Sequence, residues 1–145
     1  MADLVRQFRI HREPKGKQRV RVTRSGHAYT PNDTTTYEGI VRSEYQMQVG
    51  DVPPYLGPVV VNIRAYCEIP KSWSKKKQEL AKRRCIVPTK KPDCDNIAKM
   101  ICDALNGLAY KDDAQVAILG VYKDYVGEGE VPHVDVSIHE MNLEE

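Results

Sequence analysis

Residues 59–70, VVVNIRAYCEIP, constrain the fold more than any other stretch. The run is rich in β-branched side chains and alternates apolar with polar positions, which predicts a strand. It ends at Pro70, which cannot donate to a β-ladder. Such a strand needs a sheet around it and a layer to cover its apolar face. Two stretches can supply that layer. Tyr37, Ile40, Val41, Tyr45 and Val49 recur at three- or four-residue spacing and predict a helix, with Asn32 or Asp33 as its cap and Gly50 as its stop. Ile97, Met100, Ile101, Ala104 and Leu105 make a second one-sided stripe, closed by Asn106-Gly107.

The remaining elements follow from the same periods. LVRQFRIHRE, near the start, reads as a first strand with Val5, Phe8 and Ile10 as apolar candidates. AQVAILGVYKDY and VPHVDVSIHEM both alternate around VGEGE and predict a closing hairpin. Ser72 or Ser74 is placed to cap a short basic helix over Lys75 to Arg84. The order is then β-α-β-(α)-α-β-β. This is an α+β fold in which helices flank a mixed or antiparallel sheet, with residues 1–145 as a single domain. No apolar run approaches the roughly 18 residues of a membrane span, and MADLVRQFRIHRE lacks a signal-peptide core, so a cytoplasmic protein with no membrane partner is expected. The four cysteines form no C-x-x-C pair, which argues for reduced thiols rather than zinc.

Charge is unevenly distributed. Residues 1–92 hold 19 Lys/Arg against 8 Asp/Glu, and residues 93–145 hold 3 against 12. One reading is self-complementary packing of solvated faces; the other is a polyanion-binding surface around an acidic, metal-holding site. Residues 71–91 carry nine Lys/Arg against one Glu. They form either an exposed charged segment, mobile in the free protein, or a phosphate-binding element with Trp73 as a stacking face. Lys17, Arg19 and Arg21 occupy alternate positions and would project from one side of an extended segment.

The acids concentrate in KPDCDNIAKMICDALNGLAYKDDAQV, residues 91–116. Asp93 and Asp95 are two apart and point to one side of an extended lead-in; one of them alone could be an ordinary helix cap. Asp95, Lys99 and Asp103 share a helical face, so Lys99 is either an i,i+4 ion-pair partner or a cation for a bound phosphate. Asp112-Asp113 begin the next strand, and an antiparallel return would bring them back to the helix start. Converging carboxylates suit Mg²⁺ or Mn²⁺, and a phosphodiester is the natural substrate beside so many cations. No Gly-rich phosphate loop is present to favour a kinase or nucleotidyl transferase.

This block resembles the signature of the RusA-type endodeoxyribonucleases, the Holliday junction resolvases of bacteria and their phages. The matching pattern is D-x-D-N, a lysine three residues on, D-A-L-N-G, an aromatic, and D-D-x-Q. Here these are Asp93, Asp95, Asn96, Lys99, Asp103 to Gly107, Tyr110, Asp112, Asp113 and Gln115. PKGKQRVRV with AYTPNDTTTYE is similar to the family's basic N-terminal strand and turn, and PKSWSKKK to a segment of its phage-borne members. The resemblance implies a RusA-like fold and a homodimer that cuts two opposed strands of four-way DNA junctions with Mg²⁺, or Mn²⁺ in its place. Carried over, it implies Asp93, Asp95 and Asp113 as metal-site acids and Lys99 as the catalytic lysine. DNA attraction falls to Lys17, Arg19, Arg21, Lys75, Lys76, Lys77, Arg83 and Arg84. Two positions depart from the pattern. Cys94 replaces an apolar residue, and Arg19-Val20-Arg21 lacks the proline of many members' R-P-R. Two other functions fit the composition: a junction- or DNA-binding module without cleavage, and a broader flap- or fork-specific nuclease.

Overall fold

The structure is a computed structural model that describes residues 5–18, 20–29 and 32–142. Its centre is a four-stranded mixed sheet in the order β1-β6-β4-β5, formed by β1 (Arg6–Ile10), β4 (Val59–Cys67), β5 (Val116–Tyr125) and β6 (His133–Glu140). A small hairpin pairs β2 (Arg21–Val22) with β3 (Ala28–Tyr29). The helices are α1 (Asn32–Gln48), α2 (Lys75–Lys82) and α3 (Cys94–Ala104), and a short 3-10 turn covers Asp113–Gln115.

Strand alternation sets the layers. Phe8 and Ile10 of β1, Val59, Val61 and Ile63 of β4, and Val134, Val136 and Ile138 of β6 form one buried cluster with Tyr37, Val41 and Tyr45 of α1 and Ile97, Met100, Ile101 and Ala104 of α3. Both helical stripes read from the sequence therefore cover the sheet. Ile101 is fully buried at the centre of this core. Ile101→Ala is expected to cost on the order of 3 kcal/mol, by lost transfer energy plus a cavity, read as a lower denaturant midpoint.

Two sequence expectations need correction. Val5 is exposed, and Arg6 takes the core-facing place in β1 because residues 6, 8 and 10 share a face. The Arg6 guanidinium donates to Tyr45 Oη at 3.0 Å and lies 3.8 Å from the Tyr55 ring centroid, which accommodates its charge. The expected closing hairpin is also not formed. β6 inserts antiparallel between β1 and β4, while β5 pairs parallel with the far edge of β4. Parallel neighbours need a crossover, and the chain between β4 and β5 supplies one through α2 and α3. That crossover carries the acidic block on α3, whose apolar stripe packs against the sheet.

Candidate metal and nucleic-acid site

Asp93 sits at the N-cap position of α3 with extended backbone, φ −74° and ψ 153°. Its carbonyl accepts from Ile97 N at 3.0 Å, but its carboxylate makes no cap hydrogen bond. The ordinary capping role therefore does not consume this acid. Asp95 follows in the first turn, where the helix dipole favours a negative charge. Lys99 and Asp103 lie one and two turns further along the same face, opposite the buried Ile97/Ile101 stripe. A cleft of about 640 Å³ is lined by these four side chains together with Lys17 and Asp113.

Asp113 arrives through the turn before β5. The Gln115 side chain organises that turn. Its carbonyl oxygen accepts from Lys111 N at 2.9 Å and Asp112 N at 3.1 Å. Its amide nitrogen donates to Tyr55 O and Gly57 O, both at 2.9 Å. Asp112 is exposed, whereas Asp113 is half-buried and faces the cleft. Asp113 is not a strand residue, as the sequence suggested; β5 starts only at Val116. Burial, and after it contact with the Asp103 and Asp112 carboxyls, raises the Asp113 pKa above the ordinary carboxylate value.

Other contacts brace the site from behind. Lys123 of β5 donates to Lys90 O at 2.7 Å and Pro92 O at 3.0 Å, which ties down the segment just before Asp93. Arg42 of α1 donates to Ala104 O at 2.8 Å and Asn106 O at 3.0 Å, satisfying carbonyls at the α3 C-terminus. Tyr110 Oη donates to Cys102 O at 2.7 Å.

Among the described residues, no three His, Cys, Asp or Glu side chains already stand together closely enough to hold a metal ion. Asp93, Asp95 and Asp113 share the cleft's walls, but the carboxyl neighbours that act on Asp113 are Asp103 and Asp112. The donor chemistry still fits a hard divalent cation. The cleft offers carboxylate oxygens from Asp93, Asp95, Asp103 and Asp113 and amide groups from Gln18 and Asn96, with no thiol or imidazole among its lining. Mg²⁺ keeps several waters and takes one or two carboxylates rather than a complete protein cage.

The basic residues divide into two groups. Lys17 lies in the cleft: its Nζ is 2.6 Å from Asp103 Oδ2 and 3.6 Å from Glu38 Oε2. Burial works against its charge, but the Asp103 and Glu38 contacts outweigh this and raise its pKa. Arg21 is exposed on the small hairpin, and Arg19 lies outside the described residues. Lys75, Lys76 and Lys77 open α2, which Ser74 caps by accepting from Lys77 N at 3.2 Å. The helix ends at Lys82, short of the expected Arg84. Arg83 is exposed, whereas Arg84 lies 3.9 Å from Asp124 and 5.4 Å from the Tyr66 ring centroid. Trp73 is half-buried and already in contact within the protein. It packs edge-on to Tyr125 with centroids 5.3 Å apart, and Lys77 Nζ stands 3.9 Å from its ring.

Sequence reasoning placed Asp103 beside Asp95 and Lys99 but did not count it among the site acids. The i, i+4, i+8 spacing of the three was the available signal. The Lys17–Asp103 contact joins residues far apart in the chain and left no sequence signal. Among the described residues, no helix is long and apolar enough to cross a membrane.

The chain is 36% identical over 143 residues to the uncharacterized protein YqaN of Bacillus subtilis (strain 168), covering 93% of this chain and 96% of that protein. The family described as Endodeoxyribonuclease RusA matches residues 12–139, nearly the whole length. With the acidic block and its cleft inside that match, the chain belongs to the RusA endodeoxyribonuclease family.

Proposed function

We propose that this protein is a metal-dependent endonuclease that resolves four-way DNA junctions by paired, symmetric incisions. One observation carries the reading most: Asp93, Asp95, Lys99 and Asp113, from two separate segments, line a single cleft. Asp93, Asp95 and Asp113 would hold Mg²⁺ or Mn²⁺, which when bound polarises a phosphoryl oxygen and neutralises developing charge. The protein's own groups do the rest. The α2 cations and Arg21 draw the phosphate backbone towards acids that would otherwise repel it. Lys99 extends an exposed ammonium into the cleft, placed to contact a non-bridging oxygen of the phosphodiester. Two opposed cuts call for two sites related by a two-fold axis, so the working form is a homodimer. Junction shape and phosphate geometry, rather than a long base sequence, set the preferred substrate.

The test is cleavage of a synthetic four-way junction in Mg²⁺, beside flap, fork and duplex substrates. Symmetric nicks in opposed strands of the junction are the expected product. Tight binding without cleavage on any substrate would make the protein a DNA-binding module. Equal rates on flap and fork would make it a broader nuclease.

Two further outcomes follow from the cleft. Mg²⁺ at ten times its Kd should stabilise the folded protein by about 1.4 kcal/mol, seen as a rise in Tm that Asp113→Asn diminishes. Lys99 makes no ion pair among the described residues, including with Asp95. Lys99→Ala should therefore leave stability within about 0.5 kcal/mol of wild type. Loss of its contact to developing charge should lower turnover by about 10².

A further inference from the structure

The arm at residues 14–18 docks on α3 through its backbone. Lys17 N donates to Asn96 O at 3.0 Å, and Gln18 N donates to Thr34 Oγ1 at 3.2 Å. Glycine at position 16 permits this approach. A Cβ there would lie 2.9 Å from Asn96 Cβ and 3.1 Å from Pro92 Cβ, so any larger residue would push the arm off the helix. The Lys17 backbone is thus fixed at the lip of the cleft, and only its side chain is free to choose a direction.

That direction is set by two acids from different elements. Asp103 of α3 holds the ammonium at 2.6 Å, and Glu38 of α1 stands at 3.6 Å. All three side chains remain partly open, at 25% exposure for Lys17, 32% for Asp103 and 22% for Glu38. Pairs this accessible add little to stability, typically under about 1 kcal/mol, so folding alone does not account for a docked arm that delivers a lysine into an acidic cleft. A phosphate entering the cleft meets Lys17 as well as Lys99.

We propose that Asp103, assisted by Glu38, is a positioning residue that holds the Lys17 ammonium in the cleft as a second cation for the scissile phosphodiester. The proposal rests on the nuclease reading above and adds to it. Lys17 acts at the reacting phosphate rather than as one more surface charge, and Asp103 acts through Lys17 rather than as an independent ligand. Lysine suits this role as a compact point charge on a long stem, able to leave Asp103 for a phosphate oxygen without moving the backbone.

Single-turnover junction cleavage with protein in excess separates the rate at saturation from Kd. Lys17→Ala and Asp103→Asn are each expected to slow the saturated rate by about 10- to 100-fold, as misplacement of a reacting group does. The Lys17→Ala/Asp103→Asn double variant should be no slower than the worse single variant, because both remove the same interaction. Lys17→Arg should restore part of the rate. Should Asp103→Asn fail to fold, the cycle with Glu38→Gln asks the same question of the second acid. A saturated rate unchanged in Lys17→Ala, with only Kd weakened, would reduce Lys17 to a binding contact and overturn the proposal. Fully additive losses would do the same, by making Asp103 an independent participant. A wild type that cuts no DNA at all would overturn the nuclease reading itself, and this proposal with it.

Discussion

Asp95→Asn is expected to abolish junction cleavage while leaving junction binding intact or tighter. The substitution is nearly isosteric, and Asp95 is exposed in the first turn of α3, so little packing is at stake. What changes is one negative charge in a cleft that Asp93, Asp103 and Asp113 also line. Those acids repel a phosphodiester unless a cation stands between them. Removing one lowers that repulsion, and Kd should stay level or fall. The same change takes away an oxygen donor of full charge from the cation's site. Losing a single preorganised electrostatic group commonly costs on the order of 10²–10³ in turnover. Asp93→Asn should behave alike, because its carboxylate makes no cap bond that folding would miss. In Asp113→Asn the raised pKa adds a second effect. The native carboxyl is held partly against burial and its acidic neighbours, so its neutral replacement should raise the stability of the metal-free protein slightly. The check is a gel-shift Kd in Ca²⁺ beside a cleavage rate in Mg²⁺ for each variant. Binding lost in step with activity would show that these acids support the fold or the DNA contact rather than the chemistry.

How much of this was readable in advance differs by element, for physical reasons. The α3 stripe and β4 were legible because each must bury one face, and burial imprints a period on the sequence. Arg6 rather than Val5 faces the core because strand parity outweighs the hydrophobicity of a single side chain. In β1 the two-residue repeat decides, and a tyrosine hydroxyl with a ring face makes a buried guanidinium tolerable. Strand adjacency, as between β5 and β4 rather than β5 and β6, is a different kind of information. Alternation reports which residues face the core but not which strand lies beside which. The better signal lay in β4, α3 and β5 taken together, a strand–helix–strand unit whose strands run parallel. In the cleft, Asp93, Asp95 and Lys99 are local to one helix end, and their spacing shows it. Asp113 reaches them only through the crossover and the Gln115 clamp on Tyr55 and Gly57. The Lys17 contact depends on a glycine-permitted docking that no single stretch encodes.

Removing the free cations of α2 and its C-cap is expected to weaken junction binding steeply without slowing the saturated rate. The helix itself shows that its charges serve something other than stability. Lys75, Lys76 and Lys77 fill its first turn, where the dipole disfavours positive charge, and no acid stands among them. The helix is held by the Ser74 cap, buried Ala81 and the Trp73–Tyr125 contact instead. Several of the basic groups nearby are already engaged. Lys77 lies over Trp73, Lys82 pairs with Glu128 at 2.8 Å, and Arg84 is drawn to Asp124. Lys75, Lys76 and Arg83 are exposed and free of such partners among the described residues, so they are the groups open to phosphates. A protein with six to ten phosphate contacts loses about 10³–10⁵ in affinity between 50 and 200 mM salt. The Lys75→Ala/Lys76→Ala/Arg83→Ala variant should lose about one unit of salt slope per contact removed, near three for each protomer engaged. Its Tm should equal or slightly exceed that of the wild type, since two of the changes relieve the helix N-terminus. At saturating protein and low salt the cutting rate should match wild type, because these groups stand on α2 and its C-cap and not among the cleft residues. A slope that does not change would mean that DNA takes another path across the molecule. A rate that falls at saturation would mean that α2 helps to shape the junction for cutting as well as to hold it.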